Sequence, residues 1–88
     1  MHDAIPLRPR LSRLFRLQWE EAQSAYVLLY PEGMVKLNDS AAQVLKRCDG
    51  ERETSDIVHE LERAFSISGL RDDVEEFLRT ASTLGWIA

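Results

Sequence analysis

A single cysteine, Cys48, rules out an internal disulfide, and with only two histidines, the distant His2 and His59, it leaves no zinc quartet. The longest uninterrupted apolar run is the short stretch Ala25 to Tyr30, far below the roughly 20 residues a membrane-spanning helix needs. The opening MHDAIPLRPRLS holds no uncharged core of signal-peptide length. Phosphate-binding glycine loops, a nucleophile elbow, a His/carboxylate pair, internal repeats and low-complexity tracts are all missing. These absences predict a soluble, cytoplasmic protein with no cofactor and no membrane contact. With 88 residues there is room for one small domain. Such a chain buries only about 60% of the surface its unfolded form exposes, so its stability is marginal.

Charge is spread unevenly. Residues 1–18 carry Arg8, Arg10, Arg13 and Arg16 against Asp3, whereas residues 19–88 carry seven basic and fourteen acidic side chains, for a net −4 overall. The four arginines are a weak version of a nucleic-acid tail; a solvated arm running into strand-edge arginines accounts for them better. Residues 1–12, with Pro6 and Pro9 and no apolar period, read as an extended N-terminal arm, and residues 13–88 as the single domain.

Periodicity then sets out the domain. Phe15, Leu17 and Trp19 alternate with Arg16, Gln18 and Glu20, the pattern of a half-buried strand. Ala25 to Tyr30 is apolar on both parities, as in a central strand. Pro31-Glu32-Gly33 reads as a tight turn closed by a bulge, with Met34 to Leu37 as the return strand. Three helices follow. Ser40 and Gln43 form a capping-box pattern ahead of Ala41, Val44, Leu45 and Cys48, and Asp49-Gly50 stops that run. Thr54 or Ser55 can cap a second helix with Ile57, Val58, Leu61, Ala64 and Phe65 on one face, ending at Ser66 to Gly69. Asp72 and Glu75 can cap a third with the stripe Val74, Phe77, Leu78, Ala81 and Leu84, and Gly85 suits the left-handed residue after its last turn. The order βββααα predicts an α+β, winged-helix-like domain: a three-stranded antiparallel sheet followed by three helices.

Catalytic candidates are few. His59 falls off the apolar stripe of its helix, Cys48 falls on one, and Asp72, Asp73, Glu75 and Glu76 are spread round a helix start where the dipole already favours acids. The sequence therefore reads as non-enzymatic, with no metal site. DNA recognition by a winged helix is disfavoured by the same acids, because a surface that repels phosphates forfeits counterion release. What remains is surface binding. The third strand is an edge with Lys36 as its one charge, so a guest peptide can add there, or the C-terminal helix can cover it.

A resemblance separates these alternatives. Leu14-x-x-Leu17-x-Trp19, Val27-Leu28-Leu29-Tyr30-Pro31-Glu32-Gly33, Leu37-Asn38, Ala42, Cys48-Asp49-Gly50, Asp73-Val74-x-x-Phe77-Leu78 and Gly85-Trp86 closely resemble the PqqD family, from about Leu7 to the end of the chain. The resemblance implies a peptide chaperone of pyrroloquinoline quinone biosynthesis. Such proteins bind the precursor peptide PqqA and present it to PqqE, a radical S-adenosylmethionine enzyme that joins a glutamate to a tyrosine side chain. It also implies a guest groove between the third strand and third helix, which here selects Met34, Val35, Lys36, Leu37, Asp73, Val74, Phe77 and Leu78. Val35, Leu37, Phe77 and Leu78 equally suit core packing. An accessory subunit that only grips the enzyme is the rival reading, and a homodimer through the free edge or the arm is a further expectation.

Overall fold

Val27 and Leu28 are neighbours in the chain and both fully buried, and since strand side chains alternate between faces, a strand holding both must be covered on both sides. The computed structural model, described here for residues 4–88, places them in the middle of an antiparallel sheet of order β1-β2-β3. The strands are β1 (Arg16–Glu20), β2 (Ala25–Tyr30) and β3 (Gly33–Lys36), with a 3₁₀ turn (Glu21–Gln23) between the first two. The helices α1 (Asp39–Leu45), α2 (Thr54–Phe65) and α3 (Arg71–Thr83) complete the predicted βββααα order.

The register puts Leu17 opposite Leu28 and Leu28 opposite Val35, so these side chains share the face that meets the helices. There Leu28 joins Leu45, Ile57, Val58, Leu61, Val74, Leu78 and Ala81 in one core. Trp19 lies on the same face but at its end. It remains 49% exposed and meets Tyr26 edge-on at 5.3 Å. On the opposite face, Val27 is flanked across the strands by Gln18 and Lys36.

The hairpin differs slightly from expectation. Gly33 pairs directly with Tyr30, leaving Pro31-Glu32 as the turn and making Gly33 the first residue of β3. Helix starts differ more. Asn38, not Ser40, caps α1, its Oδ1 accepting from the Ala41 N–H at 2.8 Å. At α2 the cap is Glu53, in a reciprocal box with Asp56, rather than Thr54 or Ser55. Helix α3 has no side-chain cap of its own: Asp72 lies inside its first turn, and Glu62 of α2 accepts the Leu70 N–H at 3.1 Å. In each case the helix begins ahead of the expected cap, because an earlier residue or a neighbouring helix already satisfies the free donors. The stripes also end early. Ala64, Phe65 and Leu84 are exposed, since the core stops one turn before each helix does.

Residues 9–12 are held at both sides. Arg10 exchanges backbone hydrogen bonds with Ala88 at 3.2 and 2.9 Å, Ser12 donates to Trp86, and the Pro9 carbonyl accepts from the Gly50 N–H at 3.0 Å. At Gly50, φ is +82°, a left-handed backbone that favours glycine, and an added Cβ would come into contact with the Arg10 side chain at 3.4 Å. Beside it, Cys48 is buried, its Sγ donating to the Val44 carbonyl at 3.4 Å.

Helices α2 and α3 end in the same motif with different residues. Gly85 (φ +80°) and Ser66 (φ +55°) both occupy the left-handed position, and the next residue donates back across the last turn, Trp86 to Ala81 and Ile67 to Glu62. A side chain there costs about 1–2 kcal/mol, less the chain entropy that glycine loses. Gly85→Ala is therefore expected to destabilise by about 1 kcal/mol and Ser66→Gly to stabilise by about 0.5 kcal/mol; opposite shifts of the urea midpoint would confirm the pair. The Cys48 thiol makes a second test. Loss of solvent, then the neighbouring Asp49 charge, pushes its pKa up to about 12. A raised folded pKa contributes stability fully below the unfolded thiol value of about 8.5 and loses it as pH climbs above. Iodoacetamide at pH 8 should leave Cys48 unmodified until urea unfolds the chain, and Cys48→Ala should flatten the alkaline fall in stability.

Candidate functional site

Which backbone groups of β3 are free follows from its register. Leu37 donates its N–H to the Tyr26 carbonyl at 3.0 Å, just past the pair Val27↔Lys36. Antiparallel hydrogen bonding alternates, so Leu37, Val35 and Gly33 bond inward to β2, and Met34 and Lys36 direct their N–H and C=O groups outward. No described strand pairs with that side. The edge thus offers two donors and two acceptors to an added strand. Side chains alternate at right angles to this: Val35 and Leu37 point to the core, Met34 and Lys36 to the outer face of the sheet.

Immediately beyond β3 the chain turns into α1 and bounds an open groove of about 510 Å³ between α1, the end of α2 and the start of α3. Ala41, Val44, Leu61, Val74 and Phe77 line it with apolar surface. Phe65 and Ile67, exposed at 51% and 50%, stand among the lining residues, as do Asp39 and Asp73. Half-exposed aromatic and branched side chains at a groove are an unfilled apolar surface.

The eight residues expected at the site separate into three kinds. Met34, Lys36 and Asp73 are exposed, and Val35 and Phe77 are half-buried. Leu37, Val74 and Leu78 are buried, with Leu78 showing no surface at all. Asp73, Val74 and Phe77 line the groove; Met34 to Leu37 form the adjoining edge, and Leu78 lies beneath in the core. Phe65, Ile67 and Leu70 complete the groove, and sequence reasoning passed over them. Phe65 was assigned to the core stripe of its helix. The available signal was Ile67, an apolar residue standing alone within Ser66-Ile67-Ser68-Gly69.

One cluster of charged groups is engaged in structure. Glu60 accepts from Arg52 and lies 3.3 Å from Arg47, while Arg52 also meets Asp49 at 2.6 Å. The Arg52 hydrogen bond holds the Glu60 carboxyl below its usual range. Backbone donors, the Glu51 N–H foremost, do the same for Asp49. Arg47 Nε is buried and faces Glu60 off the line of a hydrogen bond. This network joins the end of α1 to α2 and explains Cys48-Asp49-Gly50 as a structural corner. His59 is exposed on α2, away from the groove lining.

Comparison with known proteins agrees with this architecture. The family model "Coenzyme PQQ synthesis protein D (PqqD)" matches residues 25–87. A PqqA binding protein of Methylococcus capsulatus is 53% identical over 77 residues, covering 88% of this chain and 83% of the relative. Another, of Azotobacter vinelandii, is 55% identical over 80 residues, covering 90% and 87%. The solution structure of the PqqD truncation of Methylobacterium extorquens PqqCD, described as a functional, stand-alone RiPP recognition element, superposes with a TM-score of 0.75 at 29% identity, covering 100% of this chain and 99% of that one. The chain belongs to the PqqD family.

Proposed function

We propose that this protein is a non-catalytic peptide chaperone of pyrroloquinoline quinone biosynthesis, which binds the precursor peptide PqqA and presents it in the cytoplasm to the radical S-adenosylmethionine enzyme PqqE for Glu–Tyr crosslinking. The observation that carries the reading is the unpaired outer side of β3 beside an open apolar groove. The names borne by the relatives, PqqA binding protein and recognition element, support it. The guest lies along β3 as a fourth strand, hydrogen-bonded to the N–H and C=O groups of Met34 and Lys36, with Val35 and Leu37 supporting it from beneath. Asp73, Val74, Phe77 and, through packing, Leu78 form the helical wall.

Magnitudes are compatible with reversible capture. Four strand hydrogen bonds at ~0.5–1.5 kcal/mol each and two or three apolar side chains at ~1.5–3 kcal/mol each oppose roughly 4–15 kcal/mol of association cost. An accessory subunit that grips only the enzyme would need no free edge. A homodimer paired through β3 would compete with the guest for the same four groups.

Titration of ¹⁵N-labelled protein with synthetic PqqA, without enzyme, should give saturable amide shifts at Met34–Leu37 and around Asp73–Leu78. Lys36→Pro removes an outward donor and spares the ladder to β2, so it should weaken binding about tenfold with little change in folding. Lys36→Ala keeps that N–H and should bind as the parent does. Undisturbed β3 amides at saturating peptide would reject strand addition and favour the enzyme-gripping role.

A further inference from the structure

Strand pairing is nearly blind to sequence, since the guest's backbone supplies the bonds. Selection must come from side chains, and the groove beyond β3 is built for one kind. We propose that this groove is an anchor pocket for a bulky apolar guest side chain flanked by a lysine or arginine. The inference rests on the peptide-binding reading above and adds the chemistry of the guest.

Lining selects the anchor. An open groove of about 510 Å³ floored by Ala41, Val44, Leu61, Val74 and Phe77 has room for an aromatic or large aliphatic side chain together with its neighbours, and such a side chain covers far more of that apolar surface than a methyl group can. Phe65 and Ile67, half exposed, close over such an anchor from the end of α2 and lose their own wet surface in doing so.

Charge fixes the flank. Among the lining residues the only ionisable side chains are two acids, Asp39 in the first turn of α1 and Asp73 in the first turn of α3. Both are exposed, and neither is in an ion pair among the described residues. They serve their helix dipoles, but they also bring two negative charges, from two different helices, to the lining of one apolar groove. A cation beside the anchor meets both; an acidic flank is repelled by both. Exposed pairs are individually weak, so the preference is modest and falls with salt.

The test uses three host peptides with one common polar strand sequence and a variable block, Lys-Phe-Lys, Glu-Phe-Glu or Lys-Ala-Lys. Binding is followed by methyl resonances of Val44, Leu61 and Ile67 and, separately, by the β3 amides. The Lys-Phe-Lys peptide is expected to shift the groove methyls and to bind about three- to tenfold tighter than Glu-Phe-Glu at low salt. Lys-Ala-Lys should lose the methyl shifts. Asp39→Asn/Asp73→Asn, which leaves the groove's volume unchanged, should abolish the charge preference while still binding Lys-Phe-Lys. Equal affinity for the two charge blocks, or β3 shifts with silent groove methyls, overturns the anchor and leaves strand addition standing. Methyl shifts with the charge preference but silent β3 amides support the anchor and reject strand addition.

Discussion

A three-stranded sheet has one interior strand and two edges, and that constraint organises this protein. Strand β2 takes the interior place because Val27 and Leu28 both demand burial. The single layer of helices then covers one face of the sheet and none of its rims. Two rims of unpaired N–H and C=O groups are a hazard for any sheet, because another strand can pair with them. β1 carries Arg16, Gln18 and Glu20 on its outer face, which suits solvent and discourages stacking. β3 is short and carries only Lys36. Its brevity limits indiscriminate pairing, and its position beside α1 and α3 gives any guest a second surface to satisfy. The same groups that threaten aggregation can serve as a binding site once selection is placed next to them.

The elements were legible because their signals are local. Alternation through Phe15 and Leu17, the apolar run at Ala25 to Tyr30 and the stripes through Leu61 and Leu78 report burial, and burial is what fixes strand and helix; Trp19 continues the alternation but stays half exposed at the end of the sheet. Helix starts were less legible, because a cap is a competition among neighbours. Asn38 and Glu53 take the capping places expected of Ser40 and of Thr54 or Ser55, Asp56 accepts the Glu53 N–H in return, and Glu62 reaches across eight residues to Leu70. The β3 edge was legible as an edge, yet which of its residues face outward required the Leu37 to Tyr26 bond. The groove was least legible. Phe65 continues the stripe of α2 in sequence, and only the three-dimensional end of the core shows that nothing packs on it.

Motifs that identify the family need not touch its ligand. Cys48-Asp49-Gly50 is the clearest case: Gly50 receives Pro9, Asp49 turns the chain and meets Arg52, and Arg52 ties to Glu60 on α2. The corner locks α1, α2 and the N-terminal segment into one frame. Residues 10–12 are in turn clasped to Trp86 and Ala88. A small domain with little core gains rigidity from such closures, and a groove bounded by three helix ends holds its shape only if those ends cannot drift.

Presentation makes a different demand from storage. A chaperone that hands its peptide to an enzyme must hold the guest in a defined register and still release it. Backbone pairing along two outward residues supplies register, because a slip by one residue turns every guest side chain to the other face. Alone it supplies little affinity and almost no choice of sequence. A side-chain pocket at one end of the strand corrects both defects with one anchor, since the anchor can be seated in only one register. Because the groove is open to solvent, an anchor seated there would be buried incompletely and would contribute less than a side chain in a sealed core. On the proposed reading edge and groove are complementary: the edge would set the guest's direction and the groove its identity. Neither task needs an ionisable group of shifted pKa, and those that are shifted here, Cys48, Asp49, Arg52 and Glu60, all belong to the structural corner.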